Sequence, residues 1–469
     1  MTPIFFGKTL PKRLTKRKVF YRVPRYVVEY LLAKYAPDGR DEAVAVVQEV
    51  LQERYVGPDQ GEWVRDQLLR HGSFVLLDEL SVRVDLSDSR HTARIPSLGE
   101  LRVEVPFDLP DRFPEVLHGL WGTIVLVHAE GTTRVSDFIP FQVARLDLEE
   151  FIHERDCLEE DAWIDLLLRS VGLEPQGMTR RLKLLYLVRL APLVEPNLHL
   201  LEIGPRQTGK TYLLRNTSTE TFVVSGGRTT PATLFYHQLL KRPGLIGTQD
   251  LVVFDEIAHT RWDDVATVST LKDYMESGQF TRGQRMLHAQ TSLLFMGNAD
   301  APDVPPTTVL PRGLKGDTAF IDRLHGILPG FEFPKITAEL LTDGEGLVVD
   351  YLAAIFKRLR ALPAEPDLSG LLPAGLTQRD VRSVERITSG LLKLVYPGHN
   401  WTRSFLEEAT ALALELRSRV QDELHRLNPL EFPRSGSAAQ VASQPDPAPE
   451  EVEPDLEGHE EEFDVNLEF

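Results

Sequence analysis

Cys157 is the only cysteine in 469 residues, so no disulfide can form within the chain and no metal site built on several thiolates is available. The 13 histidines never fall into a His-Glu-x-x-His pattern, which removes the commonest zinc-hydrolase signature. No apolar run approaches the roughly 18 residues that a membrane helix needs, and the N-terminus lacks an apolar signal core followed by a small-residue cleavage site. A cytoplasmic chain without a membrane partner is expected. Positive charge is also scarce: the formal net charge is −18. That charge is unevenly spread, since residues 435–469 carry eleven acids and no Lys or Arg, which leaves −7 on the rest. Residues 1–26 are the reverse, with Lys8, Lys12, Arg13, Lys16, Arg17, Lys18, Arg22 and Arg25 and no acid. Such an arm either neutralises phosphates or is a solvated basic end.

The stretch that is present in full is Leu198-His-Leu-Leu-Glu-Ile-Gly-Pro-Arg-Gln-Thr-Gly-Lys-Thr211. An apolar run passes straight into Gly-x-x-x-x-Gly-Lys-Thr, the phosphate loop between a strand and a helix. Gly204, Pro205, Arg206, Gln207, Thr208 and Gly209 wrap so that backbone amides face phosphate oxygens. Lys210 neutralises the β/γ charge and the Thr211 hydroxyl ligates Mg²⁺, so ATP and Mg²⁺ are the expected cofactors.

Before this loop the apolar spacing is helical over Tyr26–Tyr35, Glu42–Tyr55 and Glu62–Leu69 and then turns toward a period of two. Five short strands are predicted at Phe74–Leu77, Leu80–Val84, Leu101–Val105, Thr123–Val127 and Asp137–Val143, a small barrel or sandwich of the oligonucleotide-binding kind. Residues 147–196 are helical again. Beyond the loop, Phe222–Val224, Leu251–Phe254 and Ser292–Met296 read as buried parallel strands, making a doubly wound α/β domain. Leu347–Leu362, Arg379–Tyr396 and Trp401–Leu427 read as a helical lid. The expected divisions are a basic arm and helical subdomain (1–72), a β-barrel (73–146), the nucleotide-binding core (147–335), the lid (336–430) and a disordered acidic tail (431–469).

Asp255 and Glu256 end the second core strand. Beside a phosphate loop, Asp255 is expected to hold Mg²⁺ directly or through water, and Glu256 to deprotonate the attacking water. Asn298 ends the next strand, where it either fixes that water or serves only as a turn residue. Arg323, in Phe320-Ile-Asp-Arg-Leu-His325, is either plain surface or an arginine delivered to a neighbouring subunit's nucleotide, which would imply a ring.

Leu201-Glu-Ile-Gly-Pro-Arg-Gln-Thr-Gly-Lys-Thr211, Ser225-Gly-Gly-Arg-Thr-Thr230, Val253-Phe-Asp-Glu-Ile-Ala258, Ser277-Gly-Gln-Phe-Thr-Arg-Gly283 and Asp317-Thr-Ala-Phe-Ile-Asp-Arg-Leu-His325 together resemble the BrxL proteins, the Lon-like AAA+ component of bacterial BREX phage-defence systems. The resemblance runs from about Val23, through Trp163-Ile-Asp-Leu-Leu-Leu-Arg-Ser-Val-Gly-Leu-Glu-Pro175, to about Leu427. It implies an AAA+ core similar to the MCM replicative helicases, a homo-oligomeric ring (a hexamer, alone or paired), double-stranded DNA as partner and other BREX components as associates. Thr377-Gln-Arg-Asp-Val-Arg-Ser-Val-Glu-Arg-Ile387 is similar to the MCM lid helix, which gives Arg379 the sensor-2 role. Ser225–Pro231 and Gly278–Gln290, the latter expected as a hairpin, stand where MCM rings put pore elements, so Arg228, Arg282 and Arg285 are candidate DNA contacts. Full-length BrxL proteins carry a C-terminal Lon-type peptidase domain. This chain has the acidic tail there, so an ATP hydrolase that is not itself a protease is expected. Two other uses of such a core remain: a protein unfoldase gripping polypeptide with a pore aromatic such as Phe280, or a scaffold whose assembly nucleotide controls.

Overall fold

The computed structural model describes residues 4–433 apart from 22, 36–39, 58, 86–89, 100, 118, 142–145, 219, 229, 238–241, 263 and 283–284. Residues 434–469 of the expected acidic tail therefore lie outside the described residues, as does Arg22, whereas Phe432 packs against the core and its carbonyl bonds His425.

The four predicted core strands form, and Gly326–Pro329 adds a fifth. All run parallel in the order Gly326–Pro329, His199–Gly204, Ser292–Asn298, Leu251–Arg261, Thr221–Arg228. Every residue of His199–Gly204 is buried, which is why that run shows no alternation of polar and apolar side chains. Successive residues nevertheless point to different cores. Leu200, Val253, Leu294 and Leu328 join a cluster with the helices Glu160–Ser170, Arg180–Leu190, Val349–Arg360 and Gln378–Val395. Leu201, Val252, Phe254, Phe295 and Ile327 join a second cluster with Val265–Ser277, Thr318–Asp322 and the far end of Arg403–Leu427. The result is a sheet between two helical layers, the doubly wound arrangement expected.

The β-rich segment closes into a barrel of five strands: Ser73–Asp85, Arg90–Arg94, Val103–Glu104, Leu120–Ala129 and Thr132–Pro140. Two expectations are corrected here. The separate strands at Phe74–Leu77 and Leu80–Val84 are one, because Asp78 is not a turn residue. Its carboxylate is buried and accepts from the amides of Glu79 (2.7 Å) and Ser97 (2.9 Å). The unbroken strand pairs with Leu120–Val127 along its first half and with Arg90–Arg94 along its second. Arg90–Arg94 was not predicted, since only Ala93 of Arg-His-Thr-Ala-Arg faces the core.

The basic N-terminal segment is likewise not a free arm: Lys8 and Lys12 are folded in, while Arg13, Arg17 and Lys18 face solvent. Thr9–Pro11 pairs antiparallel with Glu345–Leu347, and Phe5 packs among Phe151 and Trp163. Lys8 bonds Glu154 at 2.6 Å, and Lys12, 1% exposed, bonds Glu29 and the Leu347 carbonyl, both at 2.7 Å. Arg13 and Arg17 share Asp41, and Lys16 meets Asp343. Lys18 is exposed and available to a phosphate.

Candidate nucleotide site

The strands His199–Gly204 and Ser292–Asn298 end side by side at Gly204 and Asn298, and Asp255 stands beside them where Leu251–Arg261, which continues past the expected strand end, leaves its pairing with Ser292–Asn298. Gly204 is required by close approach: a Cβ there would stand 2.3 Å from the backbone of Gly330. The following loop is left-handed at Gln207 (φ 71°) and Gly209 (φ 69°) before the helix Lys210–Arg215 begins, which is the cost of wrapping the backbone on itself. Arg206 and Gln207 are exposed and Thr208 is buried.

Lys210 is buried, and its ammonium donates to the carbonyls of Gly204 (2.9 Å) and Gly297 (3.1 Å) and to Oδ1 of Asn298 (3.3 Å). Burial pushes its pKa down and Arg189 adds to that, while Glu202 and Asp255 oppose it. A desolvated ammonium held by carbonyls gains much from a phosphate. Thr211 Oγ1 donates to Asp255 Oδ2 at 2.7 Å, so a hydroxyl and a carboxylate oxygen stand together. This all-oxygen pair fits Mg²⁺, which takes one or two protein oxygens and fills its shell with water and phosphate. A protein cage for a metal is not required, and among the described residues no cluster of three His, Cys, Asp or Glu side chains forms one. Glu256 is exposed and left-handed (φ 49°), immediately before the strand's pairing with Thr221–Arg228 breaks register. Thr211, Asp255, Lys210 and Asn298 are thus brought together, with Glu256 adjoining.

Arg323 and Arg379 are not at this site. Arg323 precedes Gly326–Pro329, at the opposite end of the sheet. At roughly 3.3 Å per residue the six residues His199–Gly204 separate the two ends by about 20 Å. Arg323 and Arg379 are instead together: Glu276 lies 2.7 Å from Arg379 and 3.4 Å from Arg323, and Asp322 also pairs with Arg379. With Arg382, Arg386 and His325 they line a cavity of about 200 Å³.

The expected hairpin is present, Gln279–Arg282 pairing with Arg285–His288. The side chains of Arg228, Arg282 and Arg285 lie outside the described residues. Phe280 is buried against Phe235 and Tyr274, which corrects its candidacy for gripping polypeptide. Inspection of the sequence missed Arg189 and Glu202, a fully buried ion pair behind the loop. The signal was there: one charged residue each in Leu-Leu-Tyr-Leu-Val-Arg-Leu190 and in the strand Leu-Leu-Glu-Ile203.

The model of the "Lon-like protease BrxL-like, ATPase domain" family matches residues 133–438, and that of the "BREX system Lon protease-like protein BrxL N-terminal" family matches 3–128. This chain belongs to the BrxL family. The curated "Lon-like protease BrxL" of Escherichia coli O9:H4 (strain HS) is 35% identical over 91% of the chain, and that of Bacillus cereus (strain H3081.97) is 34% identical over 91%. The chain spans 64% and 66% of the length of these two BrxL relatives. Among solved structures, a full-length MCM homolog from Methanopyrus kandleri overlaps 87% of this chain and 99% of its own at 15% identity, with a TM-score of 0.42. In the terms of the family, the site lies in the BrxL ATPase domain; the first four barrel strands lie in or next to the BrxL N-terminal match, and the fifth, Thr132–Pro140, falls in the stretch matched by the ATPase model. No described helix is long and apolar enough to cross a membrane.

Proposed function

We propose that this BrxL-family chain is a Mg²⁺-dependent ATP hydrolase whose subunits close into a hexameric ring and act on double-stranded DNA in BREX-type phage defence. The observation that carries the proposal is the convergence of Lys210, Thr211, Asp255 and Asn298 on neighbouring strand ends. Lys210 and the loop bind the triphosphate. Thr211 and Asp255 hold Mg²⁺, which when bound neutralises phosphate oxygens. Glu256 takes the proton as a water oxygen bonds the γ-phosphorus and the bond to ADP breaks. Asn298, whose Oδ1 already accepts from Lys210, keeps its amide NH₂ as a donor to orient that water.

Arg323 and Arg379 lie too far from their own Lys210 to touch the same triphosphate, so they are assigned to a neighbouring subunit's nucleotide, where they stabilise the charge of phosphoryl transfer. Glu276 and Asp322 hold them in place until then. Arg228, Arg282 and Arg285 are proposed DNA contacts. The test of the shared site is a mixing experiment. Arg323→Ala and Lys210→Ala should each be inactive alone and regain turnover when mixed, because some interfaces then combine an intact loop with an intact arginine. No recovery at any ratio would refute the shared site.

A further inference from the structure

Arg189, on the helix Arg180–Leu190, has no exposed surface, and neither has Glu202, two residues before the loop glycine Gly204. The guanidinium grips the carboxylate with both prongs, Nε at 2.9 Å and Nη2 at 2.7 Å. Nη1 makes a longer contact, 3.5 Å, with the carbonyl of Thr208 inside the loop. The ring of Phe333 lies against the guanidinium, its centroid 3.7 Å from Cζ. Phe333 opens a segment that returns to the loop three residues later. There the amide of Ile336 donates to the Gln207 carbonyl at 2.8 Å, and the Ile336 side chain comes so close to Gly209 that a Cβ would meet it at 2.7 Å. The loop is therefore held from behind by Arg189 and across its left-handed residues by Phe333–Ile336.

Core stability does not account for this pair, because well-packed apolar side chains of the same volume commonly do as well or better. Its position does. A buried carboxylate at Glu202 acts on the Lys210 ammonium from within the protein, and Arg189 opposes that action. Uncancelled, the Glu202 charge would repel an incoming triphosphate across a low-dielectric interior.

We propose that Arg189 is a positioning residue for nucleotide binding: it cancels the Glu202 charge behind the phosphate loop and turns the Thr208 carbonyl inward, leaving the loop amides to the phosphates. This rests on reading the loop as an ATP site. The test uses the full chain and a fluorescent ATP analogue with Mg²⁺. In Arg189→Met/Glu202→Leu both charges go together, so the fold is expected to persist with a melting temperature near that of the parent. Affinity for the analogue should fall at least tenfold, because the Thr208 carbonyl loses its partner, and KM should rise much more than kcat falls. Arg189→Met alone, which strands the carboxylate, should bind more weakly still, while Arg189→Lys should recover part of the loss. A folded double variant that binds like the parent overturns the carbonyl-holding half of the proposal, and a folded Arg189→Met that binds like the parent overturns the charge-cancelling half. If the double variant does not fold, Arg189→Lys decides, and parental affinity there overturns the carbonyl-holding half equally. Failure of the parent chain to bind the analogue would instead refute the ATP reading itself.

Discussion

Glu256 is the side chain on which turnover depends most in this account. Glu256→Gln keeps the shape of the group but cannot accept a proton, so hydrolysis should fall by about 10² to 10⁴ while Mg²⁺-ATP binding persists. Steady-state phosphate release and equilibrium binding on the same preparation check this, and near-parental turnover would remove the assignment. The rings of His199, which opens its strand, and His325, which immediately precedes Gly326–Pro329, lie 5.3 Å apart. Burial holds both well below the ordinary imidazole range. The charges of Arg386 and Arg360 act on His199 the same way, and His199 and Arg386 act on His325. Their folded pKa values are depressed, so the unfolded chain binds more protons below pH ~6.5 and stability falls as pH falls. Each contributes a loss of about 1.4 kcal/mol per pH unit there. Both ring nitrogens of His199 are buried without a partner, so His199→Phe should be tolerated and should flatten the decline of melting temperature between pH 6.5 and 5. An unchanged slope would contradict it. The phosphate-loop residues were legible because backbone chemistry dictates their spacing. Arg189 and Glu202 each showed as a lone charge in an apolar run, but their pairing was not legible, since they are thirteen positions apart and only the fold brings them together.

At the scale of elements, the buried strands and long helices could be read because their apolar side chains repeat at the period of the backbone. Elements whose charges are satisfied internally could not. Arg90–Arg94 hides a strand behind four polar residues, and the N-terminal segment looks like a nucleic-acid arm because its carboxylate partners, Glu29, Asp41, Glu154 and Asp343, lie elsewhere in the sequence. Lys12 ties that segment, the helix Arg25–Tyr35 and the end of Glu345–Leu347 together, and Glu29 passes the connection on by accepting from the amide of Val349 at 2.9 Å. Lys12→Met should therefore destabilise the fold by about 3 kcal/mol, the low end for stranding one member of a buried pair, because Arg25 stays on Glu29 at 2.7 Å. Denaturant midpoints check this, and a loss below 1 kcal/mol would mean that the segment is only loosely attached.

At the scale of the whole molecule, the nucleotide residues stand at one end of the sheet and the paired Arg323 and Arg379 at the other, a division that the proposed ring would bridge by bringing one subunit's arginines to its neighbour's loop. The same core serves DNA motors and protein unfoldases, and burial of Phe280 withdraws the aromatic grip that the second would use. The most direct measurement is the ATPase rate of the full chain with added duplex DNA and, separately, with an unfolded protein, each at about 50 mM salt, where phosphate contacts are strong. The account predicts a rate raised by the duplex and unchanged by the polypeptide. Stimulation by the polypeptide alone would contradict it.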